Sequence, residues 1–439
     1  MSEPSKEELL AKIAQLEFEN NQLKQQQHGL KSKNEQFCKI DENFSLDEYK
    51  RYGRQMIVPQ FGSLESQIKL KNSKVLVVGA GGLGSPALLY LSSAGIGTIG
   101  IIDHDTVDTS NLHRQVIHNT EMVGEFKCIS AQNYIKKLNP HVIVDVYPTT
   151  LSNDNAFDII SQYDLVLDCT DHPAVRYLIN DVCVLLGKTI VSGSGLKSDG
   201  QLTVLNFANS GPCYRCFYPQ PPSPASVTSC SDGGVIGPAI GLVGVAMAVE
   251  TIKIITGYYT KDNFVPFLTS YSGYPQQQLR AFKMRKRQKD CAVCGENPQI
   301  SRRIIEDGTI NYKTFCGRVT FDPIDDKFRI SPKDYDRVVQ NKQRHILLDV
   351  RPREQFQITH LPNAINVQWD PVFRKADTIQ QYLPEDSTKD NEIYVVCRFG
   401  NDSQLAAKKL LDLGYSNVRD IIGGLDKWSD DVDSKIPKY

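Results

Sequence analysis

Several cysteines and one glycine-rich turn are spaced for chemistry in this chain. Cys397 opens the segment CRFGNDS directly after an apolar run, Glu392 to Val396. A cysteine at a strand end, in a tight loop that leads into a helix, has backbone amides directed at its sulfur. Those dipoles stabilise a thiolate or a persulfide. Arg398 adds positive charge, and Gly400 and Ser403 belong to the same loop. Cys213-x-x-Cys216 and Cys291-x-x-Cys294 form two knuckles. Four thiolates make a tetrahedral structural zinc site with no open position. The long gap between the pairs means that a metal there ties together two distant parts of one domain. Cys230 lies in QPPSPASVTSCSDGGVIGP, where Pro, Ser and Gly dominate, so a mobile surface loop is expected.

The element that positions the remaining chemistry is Lys74 to Asp105. Val75 to Val78 are a short apolar β-branched run, as a buried parallel strand requires. Gly79, Gly81 and Gly84 fit G-x-G-x-x-G and lead into a helical segment, Pro86 to Ala94. A second strand, Thr98 to Ile102, ends at Asp103. Backbone amides in such a turn approach a phosphate, and the helix N-terminus favours its charge. Asp103 is placed to accept hydrogen bonds from a ribose. The motif by itself does not separate ATP from a nicotinamide or flavin cofactor.

Strand and helix patterns then alternate. His141 to Tyr147, Asp164 to Asp168, Thr189 to Ser192 and Leu202 to Asn206 read as strands, and Asp158 to Tyr163 as a short helix. This alternation implies a doubly wound α/β sheet. Asn111, Arg114 and Gln115 follow the second strand, Lys127 opens a helix, and Asp171 follows a strand end. Ligands bind at strand C-termini in such sheets. Ser45 and Glu48 form a capping box, and Arg51 and Arg54 share one face of that helix. Arg is a natural clamp for a polyphosphate. Farther on, Arg344 to Val350 and Glu392 to Val396 are strands of a second, smaller α/β unit. Domains are expected at 1–44 (a helical, partly disordered extension), 45–300, 301–325 (a linker) and 326–439.

Composition is that of a soluble globular protein: 40% hydrophobic, 23% charged and a net charge of −1. It demands neither membrane nor nucleic acid, and neither is expected as a partner. The uncharged run Gly233 to Val249 reads as a buried helix. The polar N-terminus lacks a secretory h-region. Eleven cysteines without a signal argue for a reducing compartment, hence a cytosolic location and metal or thiol chemistry.

GAGGLGS, IDHDTVDTSNLHRQ, Lys127 and DCTDHPAVR, in this order, resemble the adenylating domain of the MoeB/ThiF and ubiquitin-activating enzyme family. The resemblance covers about residues 45–300. It implies a Rossmann-like fold with ATP in the glycine-rich site, at Gly82, Asp103, Ser110, Asn111, Leu112, His113, Arg114, Lys127, Asp171 and His172. Arg54, Arg114 and Lys127 match the family's phosphate-binding positions, and Asp171 its magnesium-associated acid. Arg54 in this family reaches across a dimer interface, which implies a homodimer. The family also carries zinc on paired CxxC knuckles. Its cysteine at the position of Cys230 holds the activated carrier as a thioester or acyl-disulfide.

DVRPREQF, HLPNAINV, CRFGNDS and GGLDKW, also in order, resemble rhodanese, which implies that Cys397 carries a persulfide. The two resemblances together are those of the eukaryotic molybdopterin-synthase sulfurylases and activators of the ubiquitin-related modifier. They imply ATP-dependent adenylation of the C-terminal glycine of a ubiquitin-fold sulfur carrier. Sulfur from a cysteine desulfurase or another sulfurtransferase would then yield a thiocarboxylate. The uses implied are wobble-uridine 2-thiolation of tRNA, protein conjugation and, in some organisms, molybdopterin synthesis. Two alternatives are a carrier-binding scaffold that relays sulfur without adenylating, and a nicotinamide dehydrogenase with an attached rhodanese.

Overall fold

The computed structural model describes residues 44–221, 234–310, 312 and 323–439, and the helical residues 12, 13, 15–20, 22 and 24. Cys230 and Cys316 lie outside the described residues. In the N-terminal helix Ile13 and Leu16 are exposed.

The larger sheet has eight strands: β1 (Lys74–Val78), β2 (Thr98–Ile102), β3 (Ile143–Tyr147), β4 (Leu165–Asp168), β5 (Thr189–Leu196), β6 (Asp199–Leu205), β7 (Phe267–Ser272) and β8 (Gln278–Lys283). Their order is β3-β2-β1-β4-β5-β6-β7-β8. The first five are parallel and the last three are added antiparallel. The chain runs outward from β1 through β2 and β3, then returns to the other side of β1 with β4. Strand order therefore reverses between β1 and β4, and a crevice opens above their C-terminal ends.

Alternation along β1 explains how both faces are covered. Val75 and Val77 pack with Leu88, Leu91, Ile240, Val243 and Met247, under helices Gly84–Ala94 and Gly237–Thr256. Leu76 and Val78 pack with Val166, Tyr177, Leu178 and Val182, under helix Pro173–Leu185. Helix Gly237–Thr256 is long and apolar enough to cross a membrane. Here Ile240, Val243 and Met247 face the core while Val249 is exposed, so one face of the helix is buried rather than the whole helix that the uncharged run predicts. Gly244 lets it lie against the Gly-rich turn so closely that an added Cβ would sit 2.3 Å from the Leu83 carbonyl oxygen.

Two features of this sheet depart from the sequence expectation. β5 runs on to Leu196 and pairs with a β6 that begins at Asp199, because Lys197 at φ +57° closes a tight hairpin. The β7–β8 hairpin carries little apolar periodicity, and β8 is exposed along its whole length. Its ladder with β7, which in turn pairs with β6, makes it a strand without side-chain burial.

The sequence predicts a plain connector over 301–325. Its beginning instead belongs to the first domain: helix Arg302–Glu306 buries Ile305, and Tyr312 packs in the same core. Ile324 already packs in the second domain. That domain holds a parallel sheet of β9 (Arg329–Ile330), β10 (Ile346–Asp349), β11 (Ala364–Asn366), β12 (Ile393–Val396) and β13 (Val418–Ile421). The order is β11-β10-β12-β13-β9. Ile393 and Val395 face one core, and Tyr394 and Val396 the other.

Candidate active sites and metal centre

The crevice above β1 and β4 is a cleft of about 720 Å³. The Gly-rich turn forms its floor. Gly79 adopts φ +98°, and a Cβ there would lie 2.9 Å from the Cys169 carbonyl oxygen. A Cβ on Gly84 would lie 1.9 Å from the Gly79 carbonyl oxygen. Only glycine allows this turn to close onto β4 and onto its own helix.

Asp103, at the end of β2, braces the turn: its carboxylate accepts from the Ala80 amide at 2.7 Å and from the Asp105 amide at 2.9 Å. Burial holds its carboxyl above the ordinary range, against the pull of Lys127. His118 braces the turn from below. Its Nε2 is 3.0 Å from the Ala80 carbonyl oxygen and its Nδ1 2.8 Å from Ser130 Oγ. A neutral ring satisfies both contacts by donating to the carbonyl and accepting from the hydroxyl. Burial lowers its pKa to about 4, consistent with that state.

Of the nucleotide residues expected from sequence, Gly82, Asp103, Asn111, Arg114, Lys127, Asp171 and His172 line this one cleft. Lys127 is buried at the start of helix Lys127–Leu138, with Nζ 2.8 Å from Asp105 Oδ2. Burial works to raise the Asp105 pKa, but the Lys127 ammonium outweighs it and holds the carboxyl below its usual value. Arg114 is held by neutral acceptors, Asn111 Oδ1 at 2.6 Å and the Ser110 carbonyl at 3.3 Å. Among the described residues no carboxylate pairs with it, so its charge stays available to an anion. His172 caps helix Pro173–Leu185 by accepting from the Ala174 amide.

Ser110, Leu112 and His113 do not line the cleft. Ser110 turns its hydroxyl to Asp108, 2.5 Å away, and His113 lies beside the Arg114 guanidinium. They shape the segment that presents Asn111 and Arg114. Arg54 lies on helix Leu46–Met56 and does not line the cleft of its own chain.

Sequence reasoning missed Arg176 and Asp168 as a support. Asp168, at the end of β4, accepts from Ser192 and Thr170 hydroxyls and pairs with Arg176 at 3.0 Å. Arg176 in turn donates to the carbonyls of Thr170 and Gly193. The signal was present: DCTDHPAVR begins at a strand end, where ligand-positioning groups collect. Gln115 was singled out without a role. Among the described residues its buried Oε1 has no hydrogen-bond donor, and Gln115 lines the cleft. A bound ligand carrying an N–H or O–H would satisfy it.

The four knuckle cysteines converge. Cys213 Sγ lies 3.9 Å from Cys216 and 3.5 Å from Cys291, and Cys216 lies 3.4 Å from Cys294. All four are buried. Zinc–sulfur bonds of about 2.3 Å in a tetrahedron put sulfurs about 3.8 Å apart, so the set fits such an ion. The knuckle is tied to the core by Arg215, which makes a buried two-pronged pair with Asp181 at 2.8 and 2.7 Å. Asn180 and Tyr312 also donate to Asp181.

In the second domain Cys397 follows β12 and is buried. Its Sγ accepts from the Gly400 amide at 3.1 Å and lies 3.2 Å from Ser403 Oγ. The amide cradle expected from sequence is thus present. Arg398, however, stacks on the rings of Phe399 and Tyr439, 4.6 and 4.4 Å from their centroids. Burial pushes the Cys397 thiol up, the Ser403 contacts pull it back only partly, and Asp402 and Asp420 add to the rise. These shifts work against the thiolate that the loop's amide dipoles favour. The amides of Leu425 and Asp426 donate to the Cys397 and Arg398 carbonyls, so helix Gly424–Asp431 fixes the loop.

Residues 52–293 match the ThiF family, and residues 331–431 match the rhodanese-like domain. The chain is 91% identical over 439 residues to the adenylyltransferase and sulfurtransferase UBA4 of Candida albicans, covering 100% of both. It is 53% identical over 443 residues to the protein of the same name from Saccharomyces cerevisiae, covering 99% of each. Among solved structures, Escherichia coli MccB with MccA-N7isoASN shares the fold, with a TM-score of 0.50 and 22% identity over 58% of this chain and 76% of that one. The chain belongs to the ThiF family, carries a rhodanese-like domain behind its adenylating domain, and is an enzyme of adenylyl and sulfur transfer.

Proposed function

We propose that the chain uses magnesium-ATP to adenylate the C-terminal glycine of a ubiquitin-fold sulfur carrier, and then converts the acyl-adenylate into a thiocarboxylate. The carrier's carboxylate attacks the α-phosphorus and pyrophosphate leaves. Charge grows on the phosphates as it does so, and fixed cations lower that barrier. Arg114 and Lys127 supply them, Asp171, which lines the same cleft, serves as the magnesium-associated acid, and the Gly-rich turn holds the nucleotide. Arg54 lies outside its own cleft, which favours a homodimer in which it serves the other subunit. Zinc on Cys213, Cys216, Cys291 and Cys294 has a structural role. Cys230 holds the acyl group in transit. Cys397 takes sulfur from a cysteine desulfurase or another sulfurtransferase as a persulfide.

The observation that carries this reading is the convergence of Asn111, Arg114, Lys127 and Asp171 on one cleft, in a chain whose second sheet presents Cys397 at a strand end. The downstream uses are 2-thiolation of the tRNA wobble uridine and protein conjugation in the cytosol, with molybdopterin synthesis as a further outlet. The test is to incubate the protein with ATP, a candidate carrier and a sulfur donor, and to weigh the carrier's C-terminus by mass spectrometry. Adenylate without donor and thiocarboxylate with it are the expected products. ATP binding with no pyrophosphate release on any ubiquitin-fold carrier would refute the reading and favour the scaffold.

A further inference from the structure

Behind Cys397 lies a buried carboxylate with no part in the proposed reaction so far. Asp420, in β13, is fully buried. Its Oδ1 accepts from Ser403 Oγ at 2.5 Å, and its Oδ2 is 3.1 Å from Arg329 Nε on β9. Ser403 Oγ is in turn 3.2 Å from Cys397 Sγ. A hydroxyl has one proton to give. With a buried carboxylate on one side, Ser403 donates to Asp420 and accepts from the Cys397 thiol. The hydrogen bonds therefore run in one direction, from sulfur through hydroxyl to carboxylate.

We propose that Asp420, acting through Ser403, receives the proton of Cys397 when this residue takes up sulfane sulfur. The inference rests on the assignment of Cys397 as the sulfur acceptor. The Cys397 proton moves to Ser403 Oγ while the Ser403 proton moves to Asp420. The thiolate attacks the terminal sulfur of the donor, a new S–S bond forms, and the donor's own bond to that sulfur breaks, its electron pair leaving with the donor. Nothing is oxidised overall. Asp420 is a positioning residue here, since it touches neither donor nor sulfur.

Charge conservation favours this route. Ionising Cys397 to solvent would place two negative charges in one buried pocket, which is disfavoured at short range. Transfer within the chain keeps a single charge, as in a pair of acids that share a proton. Arg329 offsets that charge on the Asp420 side, and the Gly400 amide stabilises it on the sulfur side. The other charged groups nearby are Asp402, which disfavours the thiolate, and Arg398, stacked on Tyr439. Burial raises the Asp420 carboxyl above the ordinary range, which brings it closer to the thiol it would relieve.

The test uses the full chain and thiosulfate as sulfane donor, with sulfite as the leaving group and added sulfur on Cys397 followed by mass spectrometry from about pH 6 to 10. Asp420→Asn should slow loading at neutral pH by about 100-fold, the lower end of general-base effects. The deficit should shrink as pH rises and solvent base takes over. Ser403→Ala leaves the Asp420–Arg329 pair intact and should show the same loss and the same pH dependence, and the double variant should lose no more. Pyrophosphate release should stay at the wild-type rate in each, which shows that the first domain is untouched, and recovery of loading at high pH shows that the second domain is still folded. Equal or faster loading by Asp420→Asn would overturn the proposal, because Asp420 would then only oppose the thiolate. If the wild-type protein itself gains no sulfur on Cys397, the assignment of Cys397 falls first.

Discussion

Lys127→Met separates the structural from the catalytic use of one cation. In the resting protein Lys127 is buried while its partner Asp105 is half exposed, so the pair is partly screened. Its loss should destabilise the fold by no more than about 1 kcal/mol, the range of partly exposed ion pairs. That corresponds to a fall in Tm of about 2–4 °C for a domain of this size. Methionine retains most of the buried length, so no large cavity opens. The pair also has a pH signature. Lys127 holds the Asp105 carboxyl below its unfolded value, so this stability is present above the unfolded pKa and is lost as pH falls through the folded one. The variant should lack that acid-side dependence. In the proposed reaction the same ammonium would face phosphates inside the cleft, where removing one fixed donor to developing charge costs about 100- to 1,000-fold in rate, or about 2.7–4 kcal/mol. The assay is carrier-dependent pyrophosphate release, read beside thermal unfolding of the same preparation. A rate within about threefold of wild type, or a fall in activity that simply tracks the fraction unfolded, would refute the assignment of Lys127 to the phosphates.

Metal removal should act on one domain only. Stripping the thiol cluster with a chelator, or Cys291→Ser, should abolish about one bound zinc per chain and lower the first domain's unfolding transition, while thiosulfate-dependent loading of Cys397 persists. Unchanged unfolding of the stripped protein would rule out a structural ion. Cys397→Ser should leave pyrophosphate release intact and eliminate thiocarboxylate; thiocarboxylate at the normal rate would disprove its role. His118 is neutral in the fold, with a pKa of about 4 against about 6.5 unfolded. The unfolded chain binds the extra proton between these values, so stability should fall by up to roughly 3 kcal/mol as pH drops through that window. In urea titrations His118→Gln should flatten this dependence, and a difference from wild type that does not change with pH would contradict a neutral ring.

The strand ends of the first sheet were legible because parallel strands buried on both faces are written as unbroken apolar runs. KVLVV and TIGII coincide with β1 and β2. The cleft lies just past the C-terminal ends of such runs, so position pointed to the segments that carry Asn111, Arg114 and Asp171, while the nucleotide roles of Arg114, Lys127 and Asp171 came from the family resemblance. The β7–β8 hairpin and the short β9 and β11 were hidden for the opposite reason. Their strand character comes from ladders with other segments, and two or three residues hold no period. The same limit governed the supports of the sites. Asp168, His118 and Asp420 look like ordinary polar residues within or beside apolar stretches, and only tertiary structure brings Arg176, Ala80 and Ser403 to them.

Cys397 carries the largest consequence of this difference. The local sequence described the loop as it is, with an amide directed at sulfur and a helix behind it. The dipoles of that loop stabilise a thiolate or a persulfide. Burial sets the main bias of the Cys397 thiol against ionising, and Asp420 on the neighbouring strand β13, a residue outside the loop that pairs with Arg329, adds to it. A thiol at rest is poorly nucleophilic toward stray electrophiles and oxidants. Its uptake of sulfur then depends on a place for the proton, which the proposed route through Ser403 to Asp420 supplies. The chemistry of this loop is therefore encoded in the pairing of β12, β13 and β9 as much as in CRFGNDS itself.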